Sequence, residues 1–187
     1  SLINTLFGTN VELPEDIKRQ IFENSKGSSA YIEQICLYMF ENSIISCNSD
    51  GKTEFNRNFE DFILPYNTYK VLEERLKKVE EKQPDYVKAL YFASLLGNKF
   101  SISQFENVLK LSKEDFNTVC NFLINSNYLY LLSENYLTFK NTLIWHYIYE
   151  RAKTMPDYSE YNNVIYDAVL PLTLSNNSLK PLLLQNC

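Results

Sequence analysis

Glycine is the residue this chain most lacks. It occurs four times in 187 residues, at Gly8, Gly27, Gly51 and Gly97. Globular proteins average about 7% glycine. Turn-rich β folds depend on it, whereas a helix interior is weakened by it. The shortage therefore predicts a mainly α chain. It also excludes two chemistries. A phosphate-cradling P-loop needs two glycines five apart, and a dinucleotide fingerprint needs three within six residues. Here successive glycines are 19, 24 and 46 residues apart.

Other counts narrow the reading further. His146 is the single histidine, which excludes zinc motifs built on a histidine pair. Any Ser–His or Cys–His catalytic site would have to use it. Cys36, Cys47, Cys120 and Cys187 contain no CxxC pair, so a structural zinc is not expected. They read as reduced thiols of a cytoplasmic protein, with two disulfides as the other reading. No apolar run approaches the roughly 20 residues that span a bilayer. The first residues lack a basic stretch followed by an apolar one, so no signal peptide is expected. Opening in mid-pattern at Ser1 and closing on Leu182-Leu183-Leu184-Gln185-Asn186-Cys187, the chain reads as a piece of something longer. Its net charge of −5 argues against a nucleic-acid surface as the dominant feature.

Periodicity gives the elements. Pro14-Glu15-Asp16 opens a helix with the stripe Ile17, Ile21, Phe22, stopped by Gly27 as a left-handed cap. A second helix covers 29–41, with Tyr31, Ile32, Ile35, Cys36, Met39 and Phe40 inward and Glu33, Gln34 and Glu41 outward. Ile44 to Cys47 and Lys52 to Phe55 flank Asp50-Gly51, a hairpin signal. Residues 56–61 are a polar connector. Leu64-Pro65 marks the next helix start, with Tyr69, Leu72, Leu76 and Val79 as its stripe. The run Glu73-Glu74-Arg75-Leu76-Lys77-Lys78 reads as a solvated face. Pro84 starts a helix ended by Gly97, a short helix covers 101–109, and Ser112 caps a third. Strands at 128–132 and 136–139 follow, then a helix over 142–152. Beyond Pro156, residues 161–170 and 179–184 read as helices broken by Pro171 and Pro181.

From 84 to 153 the order is helix, helix, helix, hairpin, helix, the pattern of a winged helix. Such a unit either reads DNA or makes protein contacts. A DNA reader presents basic and amide groups from its third helix. This one offers Lys113, Glu114, Asp115, Asn117, Asn121 and Asn125, and residues 84–153 carry seven Lys/Arg against six Asp/Glu. The balance favours protein contact.

From Leu13 to Lys153 the chain resembles the stretch that follows the nucleotide-binding core in bacterial signal-transduction ATPases of the STAND class, which are AAA-related switch proteins. The residues that carry the resemblance come in five pieces, in order. They are Ser25-Lys26-Gly27-Ser28-Ser29-Ala30-Tyr31-Ile32-Glu33-Gln34-Ile35; Ile44-Ile45 with the Asp50-Gly51 turn; Leu64-Pro65 with Glu74-Arg75-Leu76; Ala93-Ser94-Leu95-Leu96-Gly97-Asn98-Lys99-Phe100; and Phe139-Lys140-Asn141-Thr142-Leu143-Ile144 through Tyr149. The sequence departs from the family at two places. Ser29 stands where the family has a proline that packs on the base. Asn141 stands where it has a histidine that reaches a phosphate.

The resemblance implies a mainly α fold. A helical lid-like segment with a hairpin would cover 1–64, a connecting helix 65–83, a winged helix 84–153, and a helical tail, or the start of helical repeats, 154–187. It implies a regulatory fragment of a larger cytoplasmic ATPase, relaying nucleotide state to an effector, with an adenine nucleotide and Mg held by the parent's core and none by this fragment. The partners would be that core and an effector domain, with no specific DNA and no membrane. The other function reading is a winged-helix transcriptional regulator that binds DNA. No catalytic, cofactor-binding or metal residue is assigned. His146 reads as a surface or groove histidine, and the wing tyrosines 128, 130 and 136 as cross-strand packing. Glu33 with Glu41, and Glu73 with Glu74, read as non-catalytic acids. Pro84 reads as a hinge because it cannot continue a helical hydrogen-bond ladder.

Overall fold

The structure is a computed structural model, and it describes residues 13–47, 53–56 and 62–175. It is mainly α, with eight helices and five short strands among the described residues. The chain divides into two units, Ser1–Lys78 and Val79–Cys187.

In the first unit, α1 (Glu15–Ser25) and α2 (Ser29–Glu41) form an antiparallel pair of amphipathic helices joined by a tight turn. The left-handed cap of α1 is Lys26 (φ +47), and Gly27 follows at φ +82. Gly27 is thus the second of two left-handed residues and not the cap itself. It supplies the conformation that side-chain-bearing residues adopt at a cost. Ser28 caps α2, its Oγ accepting from the Tyr31 N–H at 3.2 Å. β1 (Ile45–Cys47) pairs antiparallel with β2 (Thr53–Phe55), Ser46 opposite Glu54. The Asp50-Gly51 turn and most of the polar connector lie outside the described residues.

The core of this unit brings Ile17 and Ile21 of α1 against Tyr31, Ile35 and Met39 of α2, closed by Ile44, Ile45, Leu64 and Val71. Helix α3 (Thr68–Lys82) opens later than Leu64-Pro65 suggested. Asn67 sets its start, accepting the Lys70 N–H at 2.8 Å on its side-chain oxygen. A side-chain cap satisfies an orphan backbone donor, which proline cannot do. Val71, Leu72, Arg75 and Leu76 face inward, and Tyr69 of the expected stripe is exposed.

In the second unit, α4 (Pro84–Leu96) is buried along nearly its whole length and packs against four other helices. It ends at Gly97, whose φ of +118 is open to glycine alone. Next come β3 (Lys99–Ser101), α5 (Ile102–Leu109), α6 (Lys113–Asn125), β4 (Leu129–Ser133), β5 (Tyr136–Phe139) and α7 (Thr142–Lys153). A full capping box starts α5, in which Ser101 and Gln104 satisfy each other's backbone N–H groups. Ser112 caps α6. The sheet order is β3-β5-β4, all antiparallel, with Phe100 opposite Leu137 and Tyr130 opposite Thr138. The sheet has one strand more than periodicity revealed. Three residues are too few to show a pattern, and β3 exists because β5 supplies its ladder. Phe100, Phe105, Phe116 and Phe139 make an edge-to-face chain under this sheet, at centroid spacings of 5.2–6.3 Å.

Helix α8 (Tyr158–Ser175) continues through Pro171, where a break was expected. Pro171 removes one ladder bond near the helix end, which costs stability without stopping the helix. The expected helix at 179–184 lies outside the described residues.

Candidate functional site

The two positions singled out by the resemblance both lie at helix starts, one in each unit. Ser29 is the first residue of α2, directly after its Ser28 cap. Asn141 caps α7, its Oδ1 accepting the Ile144 N–H at 2.9 Å. That oxygen is committed to the helix. His146 is exposed on α7.

The acid pairs resolve into structural roles. Glu73 and Glu74 both hold Lys70, at 2.8 and 3.3 Å. Glu41 takes a bidentate pair from Arg75, whose Nε and Nη2 donate at 2.9 and 2.7 Å. The third Arg75 nitrogen donates to the Gln34 side-chain oxygen. Arg75 and Gln34 are both buried, which corrects the solvated reading of each. The charge run did not mark Arg75, because helical spacing tells which face a residue shares and not whether a partner waits there.

A second arginine network ties the other unit together. Arg151 of α7 donates to the Tyr91 hydroxyl of α4 at 2.9 Å and pairs with Glu80 at 2.9 Å. Burial pushes the Tyr91 phenol up, and Arg151 works against that shift. Trp145 donates its indole N–H to the Ser94 carbonyl at 3.0 Å.

The faces that would meet a nucleic acid are built of other material. The exposed side of α6 carries Lys113, Glu114, Asp115, Asn117, Asn121 and Asn125, so two carboxylates stand at its leading end. The wing is apolar. Tyr130, Leu131, Leu132 and Tyr136 are 40–54% exposed. Tyr128 alone of the three wing tyrosines is buried; Tyr130 and Tyr136 lie on the sheet with part of each ring in water. Lys99 lies 4.7 Å above the Tyr136 ring.

A groove of about 490 Å³ lies between α4, the end of α5, the start of α6 and α8. Its walls are Ala89, Phe92, Val108, Val119 and Val164, and its rim mixes Asp85, Lys88, Lys110, Asp115 and Glu160. It holds no histidine or cysteine, and hence no activated nucleophile of the Cys–His type. Among the described residues, no group of three or more His, Cys, Asp or Glu could hold a metal, and no helix is long and apolar enough to cross a membrane.

Cys36 and Cys120 are free thiols, so the reading with all four cysteines in two disulfides does not hold. Burial pushes both up to about 12, helped by Glu33 beside Cys36 and Glu106 beside Cys120. The thiolate is the reactive form, so both should label slowly in the native chain even at pH 9 and quickly once it is unfolded. Rapid native labelling at pH 8, read by mass spectrometry, would contradict this. The sign for stability follows. The folded state favours the neutral thiol, so this contribution is complete below the ordinary value near 9. It is lost as pH rises through about 12.

No family model matches this chain, and no curated protein or solved structure matches it either.

Proposed function

We propose that this chain is a regulatory segment of a larger, cytoplasmic, nucleotide-dependent signalling ATPase, and that it relays nucleotide state to an effector through protein contacts. The adenine nucleotide and its Mg belong to a core outside these residues, and this segment performs no chemistry of its own. The observation that carries the reading is the surface of the second unit. An acidic and amide face on α6 beside an exposed apolar strand, β4, suits a protein partner and repels a phosphate backbone. The nucleotide part of the reading rests on the sequence resemblance, departures at Ser29 and Asn141 included.

The relay is a population shift between two arrangements, each ligand favouring the one it binds better. The moving part is the joint between α3 and α4. Helix α3 ends at Lys82, Gln83 leaves helical geometry at φ −147, and Pro84 begins α4. Residues 81–85 are all exposed. In the longer protein, hydrogen exchange at residues 82–85 should be faster than in the flanking helices and should change when ATP is added. Uniform protection that ATP leaves unaltered would overturn the relay.

A further inference from the structure

The second unit opens inside a helix. Its boundary falls between Lys78 and Val79, yet α3 runs on to Lys82. The last turn of α3 therefore belongs to the body made by α4 to α8. Gln83 alone separates that turn from Pro84, the first residue of α4. Its ladder closes with the Gln83 N–H donating to the Val79 carbonyl at 2.7 Å. A single turn at a helix end frays unless something outside the helix holds it.

One side chain does so. Among the described residues, Glu80 makes the only side-chain polar tie from residues 79–83 to another element. Its carboxylate accepts from Arg151 Nη2 at 2.9 Å, and Arg151 Nε donates to the Tyr91 hydroxyl, also at 2.9 Å. Three elements meet in this one guanidinium: α3 through Glu80, α4 through Tyr91, and α7, which carries Arg151. The planar fork fixes the angle between its two partners, which a lysine ammonium would not. The arginine is presented from a firmly held helix. α7 packs along α4, with Ile148 and Ala152 fully buried and the Trp145 N–H on the Ser94 carbonyl. The Glu80 and Arg151 side chains are 40% and 26% exposed, so the pair can open without unfolding its neighbours.

We propose that the Arg151–Glu80 pair is a latch on the joint between α3 and α4. Closed, it holds the last turn of α3 against α4 and α7 and fixes the direction in which α3 leaves the second unit. Open, residues 79–83 fray, and the joint at Gln83-Pro84 is free to turn. A pair this exposed shifts such a balance by a few-fold and not by orders of magnitude, so a bound partner can move it either way. The latch belongs to the joint itself and does not rest on the nucleotide reading.

Hydrogen exchange of the whole chain, without nucleotide, tests it. Glu80→Gln leaves Arg151 on Tyr91 and removes only the charge on α3. Exchange at residues 80–83 should rise about threefold, while the buried amides of α4 and α7 keep their wild-type rates. Arg151→Met should raise it at least as much. The exchanged pair, Glu80→Arg with Arg151→Glu, should bring the rates back toward wild type, as a restored charge pair does and a lost packing contact does not. Exchange at 80–83 unaltered by Glu80→Gln, a rise of the same size throughout the second unit, or an exchanged pair no slower than the single variants would overturn the proposal. A rise with Glu80→Gln, beside exchange in the longer protein that ATP leaves unaltered, would uphold the latch and remove the nucleotide relay.

Discussion

Phe105→Ala should lower the stability of the second unit by about 3–5 kcal/mol, the usual cost of emptying a phenyl-sized space in a packed core. Phe105 is fully buried and stands at the middle of the aromatic chain. Its ring meets Phe100 at 5.2 Å and Phe116 at 5.7 Å, both edge-on. It therefore joins α5, β3 and α6, and no single neighbour can collapse into the gap without leaving another. Trp145 is the only tryptophan in the chain, and it belongs to this unit, so its fluorescence follows the unfolding selectively. With an m-value of about 2 kcal/mol/M, the urea midpoint should fall by roughly 2 M. Leu111→Ala, at a position 45% exposed, should change the stability by less than about 0.5 kcal/mol. A Phe105→Ala loss below 1 kcal/mol would mean that the aromatic chain is not the core of this unit.

Arg75→Ala should cost the first unit about 3 kcal/mol, for a different reason. The Arg75 side chain is fully buried, whereas Glu41 keeps about a third of its surface (32%) in water. Removing the guanidinium lets Glu41 turn outward, but Gln34 is held in the core with its oxygen unpaired, and a cavity opens beside it. Breaking one side of a buried polar network is far more damaging than replacing both sides with apolar groups. The double variant Arg75→Leu with Gln34→Leu should therefore recover part of the loss. Exchange of the α2 and α3 amides measures both. Equal losses in the single and double variants would show that packing, and not the network, carries the effect.

The legible parts of the fold were those with local causes. Ser112 precedes an apolar period and caps the helix that follows. Gly97 ends α4 because its backbone conformation admits nothing else. The misread parts had distant causes. Gln34 sits among outward residues by type, yet it is buried because Arg75 approaches from 41 residues away. β3 has no signal of its own, and its existence depends on β5, 35 or more residues on. At the start of α3, two local signals competed, and the side-chain cap at Asn67 prevailed over Pro65 because it supplies a hydrogen bond. The candidate surfaces followed the same division. The amide and acidic residues of α6 could be placed by period alone, while the exposure of Leu131 and Leu132 could not. A run of apolar residues in a strand reads the same whether a core covers it or water does.

If the second unit works by protein contact, it should bind DNA only weakly, which a titration with duplexes reads. Fluorescence anisotropy of labelled duplexes of several sequences, at physiological salt, separates protein contact from DNA reading. Dissociation constants should be weaker than about 10⁻⁶ M and the same for every sequence, the range of non-specific electrostatic binding. A dissociation constant near 10⁻⁸ M or tighter, with one sequence clearly preferred, would contradict the protein-contact reading.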